Sequence, residues 1–158
     1  MAKIAAGLLM FRRQKNEIQF FLVHPGGPFF AKKNEGVWSI PKGLPEGDED
    51  ILHTAQREFF EETGIKPSPP FYPIGNIKLK SGKIIHAWCF EGNWDAKNGI
   101  VSNMFSMEWP PASKKFIDMP EVDRAEWMTL EQAVIKIHPD QLPFLQRATE
   151  ILHHATPH

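Results

Sequence analysis

The sequence predicts one α/β domain of mixed strands with helices interspersed among them. Its 158 residues, 42% of them hydrophobic, are enough for one sizeable core and few for two. Short apolar runs bounded by glycine and proline predict strands, while one long segment shows helical periodicity. The chain has neither an internal repeat nor a low-complexity linker, so we expect a single domain over residues 1–158.

Two strands are predicted at the N-terminus. Residues 4–11 and 18–23 are almost entirely apolar, and the polar residues 14–17 between them suit a hairpin turn. The following stretch, residues 24–36, is rich in glycine and proline and is therefore predicted to be a loop.

An amphipathic helix is predicted over residues 51–63. Acidic residues at 48–50 favour its first turn, the segment lacks glycine and proline, and Gly64 stands where a helix is expected to end. At 100° per residue, Ile51, Ala55 and Phe59 fall on one stripe, which we expect to face the core.

The second half of the chain predicts further strands and helices. Residues 74–79 and 83–90 read as strands around a Ser-Gly turn, and residues 94–115 as a long surface loop. The remaining predicted elements are a strand at 124–128, a helix at 130–137 with Thr129 as its N-cap, and a last helix from 139 or 140 to about 153.

The charge distribution is uneven although the formal net charge is only -1. Residues 1–45 hold seven basic and two acidic residues, whereas residues 46–62 hold seven acidic residues and one arginine. The near-neutral total argues against a protein that coats long nucleic acid, but it does not argue against a small polyanionic substrate.

Three glutamates share one face of the predicted helix. Glu58, Glu61 and Glu62 stand at i, i+3 and i+4 and repel one another, and Arg57 alone cannot neutralise all three. A divalent cation can, and carboxylate oxygens are hard ligands that suit Mg²⁺ or Mn²⁺. The helix carries no cysteine cluster and no histidine pair at ligand spacing, which disfavours zinc.

These residues belong to a longer pattern, Gly-x5-Glu-x7-Arg-Glu-U-x-Glu-Glu-x-Gly-U, where U is hydrophobic. Residues 43–65 match it at every defined position, and the segment therefore closely resembles the signature of the Nudix hydrolase superfamily, here called the Nudix box. Its entry, Trp-Ser-Ile-Pro-Lys-Gly at 38–43, is similar to the diadenosine polyphosphate hydrolase branch. The resemblance implies an α/β/α sandwich around a mixed β-sheet and hydrolysis of a nucleoside diphosphate linked to another moiety.

The resemblance also implies roles for residues of the box. Glu61 and Glu62 would be metal ligands, Glu58 a further ligand or the base that activates water, and the backbone carbonyl of Lys42 an additional ligand. Arg57 would orient the carboxylates. The residues with an expected structural role are Gly43, Glu49 and Gly64.

Candidates outside the box depend on weaker arguments. In this family a further acidic ligand often comes from a distant loop, and Glu108 is our candidate, with Glu91 and Glu121 as rivals. Substrate phosphates need cations outside the metal site. The cations that we expect to bind substrate are Lys42, Lys32 and Arg12.

The leading interpretation is a Mg²⁺- or Mn²⁺-dependent pyrophosphohydrolase that acts on a dinucleoside polyphosphate or a nucleoside triphosphate. The alternatives are an RNA 5′-end pyrophosphohydrolase, a nucleotide-sugar or ADP-ribose pyrophosphatase and, least favoured, a non-catalytic nucleotide-binding module. A small nucleotide is the expected partner, with neither membrane nor long nucleic acid, and a homodimer stays open. The single cysteine, Cys89, and the lack of a signal-peptide pattern favour the cytoplasm.

Overall fold

A computed structural model describes residues 3–155 of the chain. Eight strands and three α-helices are seen in this part, together with short 3-10 turns at Ala96–Asn98 and Pro139–Gln141. The strands are β1 Ile4–Gln14, β2 Glu17–Pro25, β3 Lys42–Gly43, β4 Tyr72–Lys78, β5 Ile84–Glu91, β6 Met104–Glu108, β7 Phe116–Pro120 and β8 Val122–Thr129. The helices are α1 Ile51–Thr63, α2 Leu130–Lys136 and α3 Leu142–Ala155.

The main sheet is mixed, as the sequence predicts. Its strands follow the order β4-β5-β1-β2-β8, and the short β3 pairs with β1. Strands β1 and β5 run parallel, whereas the pairs β1–β2, β2–β8 and β4–β5 are antiparallel. A separate two-stranded sheet is formed by β6 and β7.

Helices cover both faces of the main sheet, which gives the predicted α/β/α sandwich. Because side chains alternate along a strand, β1 supplies residues to both cores. Ala6, Leu8 and Met10 pack with Ala55 and Phe59 of α1. Ala5, Leu9 and Phe11 belong to the opposite core, which contains the α3 residues Phe144, Leu145, Ala148 and Leu152. The α1 side is further closed by Phe59, whose ring centroid lies 5.2 Å from that of Phe90.

The segment before α1 is inserted between β1 and β2. Strands β1 and β2 pair directly from Phe11↔Phe20 to their hairpin turn. Before Phe11 and after Phe20 the two strands separate, and the chain around residues 38–43 lies between them. Ser39 bridges Val23 of β2, while Lys42 and Gly43 pair with β1. The insertion brings the backbone of Lys42 and Gly43 beside α1.

One predicted loop contains part of a β-hairpin in the structure. The segment 94–115 is not one long loop, because it contains β6, which pairs with β7 as a hairpin. Only one of the ten side chains of this hairpin, Met119, is buried, so its strands lack the apolar core face by which a strand is recognised in a sequence. Among the described residues, no helix is long and apolar enough to cross a membrane.

Candidate functional site

Helix α1 begins and ends through local contacts. The Asp50 carboxylate accepts a hydrogen bond from the backbone N–H of His53, which satisfies a donor of the first turn. At the other end Gly64 adopts φ 78°, and its N–H donates to the carbonyl of Phe60 at 2.7 Å. A left-handed residue of this kind is usually glycine because a Cβ is penalised there. These contacts fix where α1 begins and ends, and therefore where its glutamates lie along the helix.

Gly43 is required by close approach to α1. A Cβ at this position would overlap the carboxylate of Glu58. The glycine therefore lets the backbone lie directly against the Glu58 side chain. Gly64 is required for a different reason, which is its positive φ.

Arg57 connects the acidic residues of the box. Its Nε and Nη2 form a two-point contact with the Glu49 carboxylate at 2.8 and 2.9 Å. Its Nη1 donates to Glu58 at 2.9 Å and to Glu61 at 3.1 Å. A planar guanidinium can bond several carboxylates at once, and here it holds Glu58 and Glu61 next to Glu49. The Leu44 carbonyl accepts a further bond from Nη2.

Glu49 joins the loop before α1 to the helix itself. Besides Arg57, its Oε1 accepts hydrogen bonds from the Thr54 hydroxyl at 2.7 Å and from the Glu46 N–H at 3.2 Å. The Arg57 contact lowers the pKa of Glu49 from 4.5 to about 2, and these two bonds act in the same direction. Our sequence interpretation missed Thr54, although its position three residues before Arg57 places both on one helix face.

Replacing Glu49 with glutamine is expected to lower thermal stability at neutral pH. The folded-state pKa lies below the ordinary value, so the ionised carboxylate stabilises the fold above about pH 4.5, and this contribution is lost as pH falls towards 2. The melting temperatures of Glu49→Gln and wild type should therefore converge in that acidic window, as a pH series would measure. Asp48→Asn, at an exposed acid of the same loop, is the control; an equal loss there would contradict the prediction.

Glu62 is the most buried carboxylate of the box. Its residue exposure is 9%, and its Oε2 accepts a hydrogen bond from the Lys42 backbone N–H at 3.2 Å. Burial raises the pKa of Glu62 to about 8, with repulsion from Glu58 and Glu121 adding to the effect and the Lys42 charge opposing it. Burial likewise raises the pKa of Glu58. Because burial makes these carboxylates hard to ionise, a cation nearby would stabilise their charged form.

A cavity of about 170 Å³ adjoins Glu62. Lys42 and Glu121 line it too, and its other walls come from β2, from the inserted segment and from the start of β8. Glu121 is therefore the distant acid that the fold brings to the box. The other lining residues are Val23, Pro25, Ser39, Ile40 and Val122.

The other candidates outside the box lie elsewhere. The Glu108 carboxylate accepts a hydrogen bond from the Ala112 N–H in the β6–β7 hairpin, and Glu108 does not line the cavity. Glu91 is exposed at the end of β5. Arg12 lies over the Trp127 ring at 4.4 Å and borders a different pocket, and Lys32 is exposed in the loop after β2. Of the three predicted substrate cations, Lys42 alone lines the cavity.

The carboxylates of the box are not arranged as a metal coordination shell in this structure. Within residues 3–155, no three histidine, cysteine, aspartate or glutamate side chains form a group that could hold a metal ion. Arg57 engages Glu58 and Glu61 in this arrangement. The donor set nevertheless suits a hard divalent cation, since it consists of carboxylate oxygens. Glu62 is buried beside the Lys42 backbone, and Glu58 lies against Gly43, which has no Cβ.

Comparison with known proteins identifies the family. Residues 1–148 match the family model described as NUDIX domain, and the chain therefore belongs to that family. A local match to human nucleoside diphosphate-linked moiety X motif 6 is 59% identical over 34 residues. It spans 22% of this chain and only 11% of the human protein.

Solved structures share the whole fold. An Ap4A hydrolase from C. elegans, in a binary complex, has a TM-score of 0.68 at 21% identity, with 95% of this chain and 98% of that chain covered. The NUDIX domain of NrtR from Shewanella oneidensis, complexed with ADP ribose, also has a TM-score of 0.68, at 17% identity over 96% of this chain and 89% of its own. At these identities the likeness establishes the fold.

Proposed function

We propose that this protein catalyses metal-dependent hydrolysis of a pyrophosphate linkage in a nucleoside diphosphate-linked substrate, with dinucleoside polyphosphates or nucleoside triphosphates favoured. The observation that carries the proposal is the cavity in which buried Glu62, Lys42 and Glu121 meet at the Nudix box. A site with several carboxylates and one lysine suits a phosphate chain only if cations are bound as well.

The proposed role of each residue of the box and the cavity follows from its position. Glu58, Glu61 and Glu62 would hold Mg²⁺ or Mn²⁺, with Glu121 and the Lys42 carbonyl as further ligands. Glu58 and Glu61 would then exchange part of their contact with Arg57 for the ion. Lys42, which lines the cavity beside Glu62, would bind a substrate phosphate through its ammonium group.

The chemistry needs charge neutralisation and an activated water. The bound cations would supply Lewis acidity, offsetting phosphate charge and lowering the pKa of a coordinated water. Glu58 would be a ligand or accept the proton of the attacking water, and its burial-raised pKa favours proton acceptance. Attack on one phosphorus would break one P–O bond of the linkage and release two phosphorylated products.

A substrate panel tests this proposal. Dinucleoside polyphosphates, nucleoside triphosphates, ADP-ribose, nucleotide sugars and 5′-triphosphorylated RNA would be incubated with Mg²⁺, and the products identified by mass. We expect hydrolysis of the first two classes, its loss on chelation and its recovery with added Mg²⁺. Turnover that persists in chelator would refute the metal dependence, and preference for triphosphorylated RNA would favour the RNA alternative.

Glu121→Gln is expected to weaken Mn²⁺ binding and activity more than Glu108→Gln does. Glu121 lines the cavity with Glu62, whereas the Glu108 carboxylate is bonded within its own hairpin. Calorimetric Mn²⁺ titrations of both variants would measure the difference, which we expect to be at least about 100-fold, because partners that only orient a metal ligand already account for about 10–100-fold. The reverse order would restore Glu108, our sequence candidate, as the distant ligand.

A reducing compartment such as the cytoplasm is part of the proposal. Cys89 is fully buried, and burial raises the pKa of its thiol to about 11. A thiol in that state is unreactive and forms no disulfide in the described chain, which fits a protein without oxidative crosslinks.

A further inference from the structure

His24 is a fully buried polar residue that the proposed chemistry does not use. Its ring lies edge-on to Trp38, with centroids 5.2 Å apart, and it has no exposed surface. Both ring nitrogens face oxygen atoms. Nδ1 lies 2.8 Å from the Asp123 carboxylate, and Nε2 lies 2.6 Å from the backbone carbonyl of Lys33.

These two contacts tie His24 to two separate parts of the chain. Asp123 belongs to the start of β8, and Lys33 belongs to the loop that follows β2. The ring therefore connects these two segments from the end of β2.

His24 lies at the place where the β2–β8 ladder becomes irregular. The register shifts between His24 and Pro25, and Pro25 has no N–H to donate. The side-chain bond from His24 to Asp123 therefore joins the two strands where the regular ladder is interrupted. Beyond it, the Gly26 N–H donates to the Glu121 carbonyl at 2.9 Å.

The two joined strand segments are walls of the catalytic cavity. Val23 and Pro25 flank His24 in the chain and line the cavity, as do Glu121 and Val122 immediately before Asp123. The geometry points to His24 as a positioning residue: by bonding Asp123, it fixes the start of β8 so that Glu121 faces the metal-binding carboxylates. This inference rests on the proposed function.

Two substitutions separate the contacts of His24. The amide nitrogen of asparagine can replace Nδ1, and that of glutamine can replace Nε2. His24→Asn therefore keeps a donor to Asp123 and loses the one to Lys33, while His24→Gln does the opposite. Each variant loses one buried hydrogen bond, so their melting temperatures control for a general loss of stability.

Mn²⁺ binding measured by calorimetry gives the readout. We expect His24→Gln to raise the Mn²⁺ dissociation constant about 10-fold, the size seen for partners that orient metal ligands, and His24→Asn to stay near wild type. On a Glu121→Gln background the His24→Gln change should add little, because the ligand that it positions is gone. Equal losses in both variants, or an unchanged constant in His24→Gln, would overturn the inference.

A variant at a more exposed position keeps the test usable if the buried changes prevent folding. Asp123→Ala removes the same contact from the other side, where the side chain is 34% exposed, and should weaken Mn²⁺ binding as His24→Gln does. Asp140→Ala is its matched control, since it removes the more open His138–Asp140 pair at 3.9 Å. If the two aspartate variants bind Mn²⁺ alike, the inference is wrong. A wild-type protein that binds no Mn²⁺ would instead overturn the proposed function together with this inference.

Discussion

Glu62→Gln is expected to abolish most of the activity while leaving the fold intact. Glutamine has the same shape and can still accept the hydrogen bond from the Lys42 N–H, but it lacks the charge that would hold a cation in the cavity. Changes to partners that only orient a ligand cost 10–100-fold, so loss of a ligand should lower kcat/KM by at least about 100-fold. Steady-state kinetics with excess Mg²⁺ would measure this.

The same substitution should stabilise the metal-free protein at alkaline pH. Burial raises the folded-state pKa of Glu62 to about 8, so the folded state binds a proton more tightly than the unfolded chain does. Wild-type stability therefore falls as pH rises from the ordinary glutamate value of 4.5 to about 8, and the glutamine variant avoids that loss. Melting temperatures recorded in chelator should diverge over this range.

Glu150→Gln is the matched control for both measurements, because Glu150 is an exposed glutamate on α3, across the sheet from α1. Its kinetics and melting temperatures should follow wild type. Comparable loss of turnover in Glu150→Gln, or full activity in Glu62→Gln, would show that the buried carboxylate has no part in the chemistry.

Gly43→Ala is expected to remove activity by a different route. The added Cβ would occupy the position of the Glu58 carboxylate, which must then leave its contact with Arg57. Because the displaced group is the end of a flexible side chain, the melting temperature should change little. We expect kcat/KM to fall at least about 100-fold, since misplacement of a reacting group by 1 Å alone can cost that much.

Gly47→Ala should show the opposite pattern. This glycine lies in the same loop with φ 55°, and a Cβ there would meet nothing within 4 Å. Alanine in the left-handed region costs about 1–2 kcal/mol, so stability should fall while activity is kept. If Gly43→Ala proved destabilised but active, Gly43 would serve the fold and not the site.

The parts of the molecule that were predictable from sequence depend on local signals. Helix α1 was predicted at its observed bounds because the cap, the periodic apolar stripe and the terminal glycine are all encoded within the helix and its flanks. The β6–β7 hairpin was missed because only one of its ten side chains is buried and because β7 ends in a proline. The boundaries of β1 were underestimated, since its polar end pairs with β2 beyond the apolar run.

The candidate site shows the same division between local and distant information. The carboxylates and Arg57 meet through i, i+3 and i+4 spacing, which the sequence contains directly. The choice between Glu108 and Glu121 depends on how β7 leads into β8 beside β2, a pairing of residues far apart in the chain. The contact between His24 and Asp123 joins residues 99 positions apart and could not be anticipated from sequence alone.

The contacts of Arg57 have a consequence for the order of folding and cation binding. Domains whose ligand side chains lack any other partner fold only when their metal arrives. Here hydrogen bonds to Glu49, Glu58 and Glu61 raise the pKa of Arg57 further above its usual range, so its charge is permanent. The arginine thus acts as an internal counter-ion for these carboxylates. Under the proposed function, the chain would therefore fold first and bind its divalent cation afterwards.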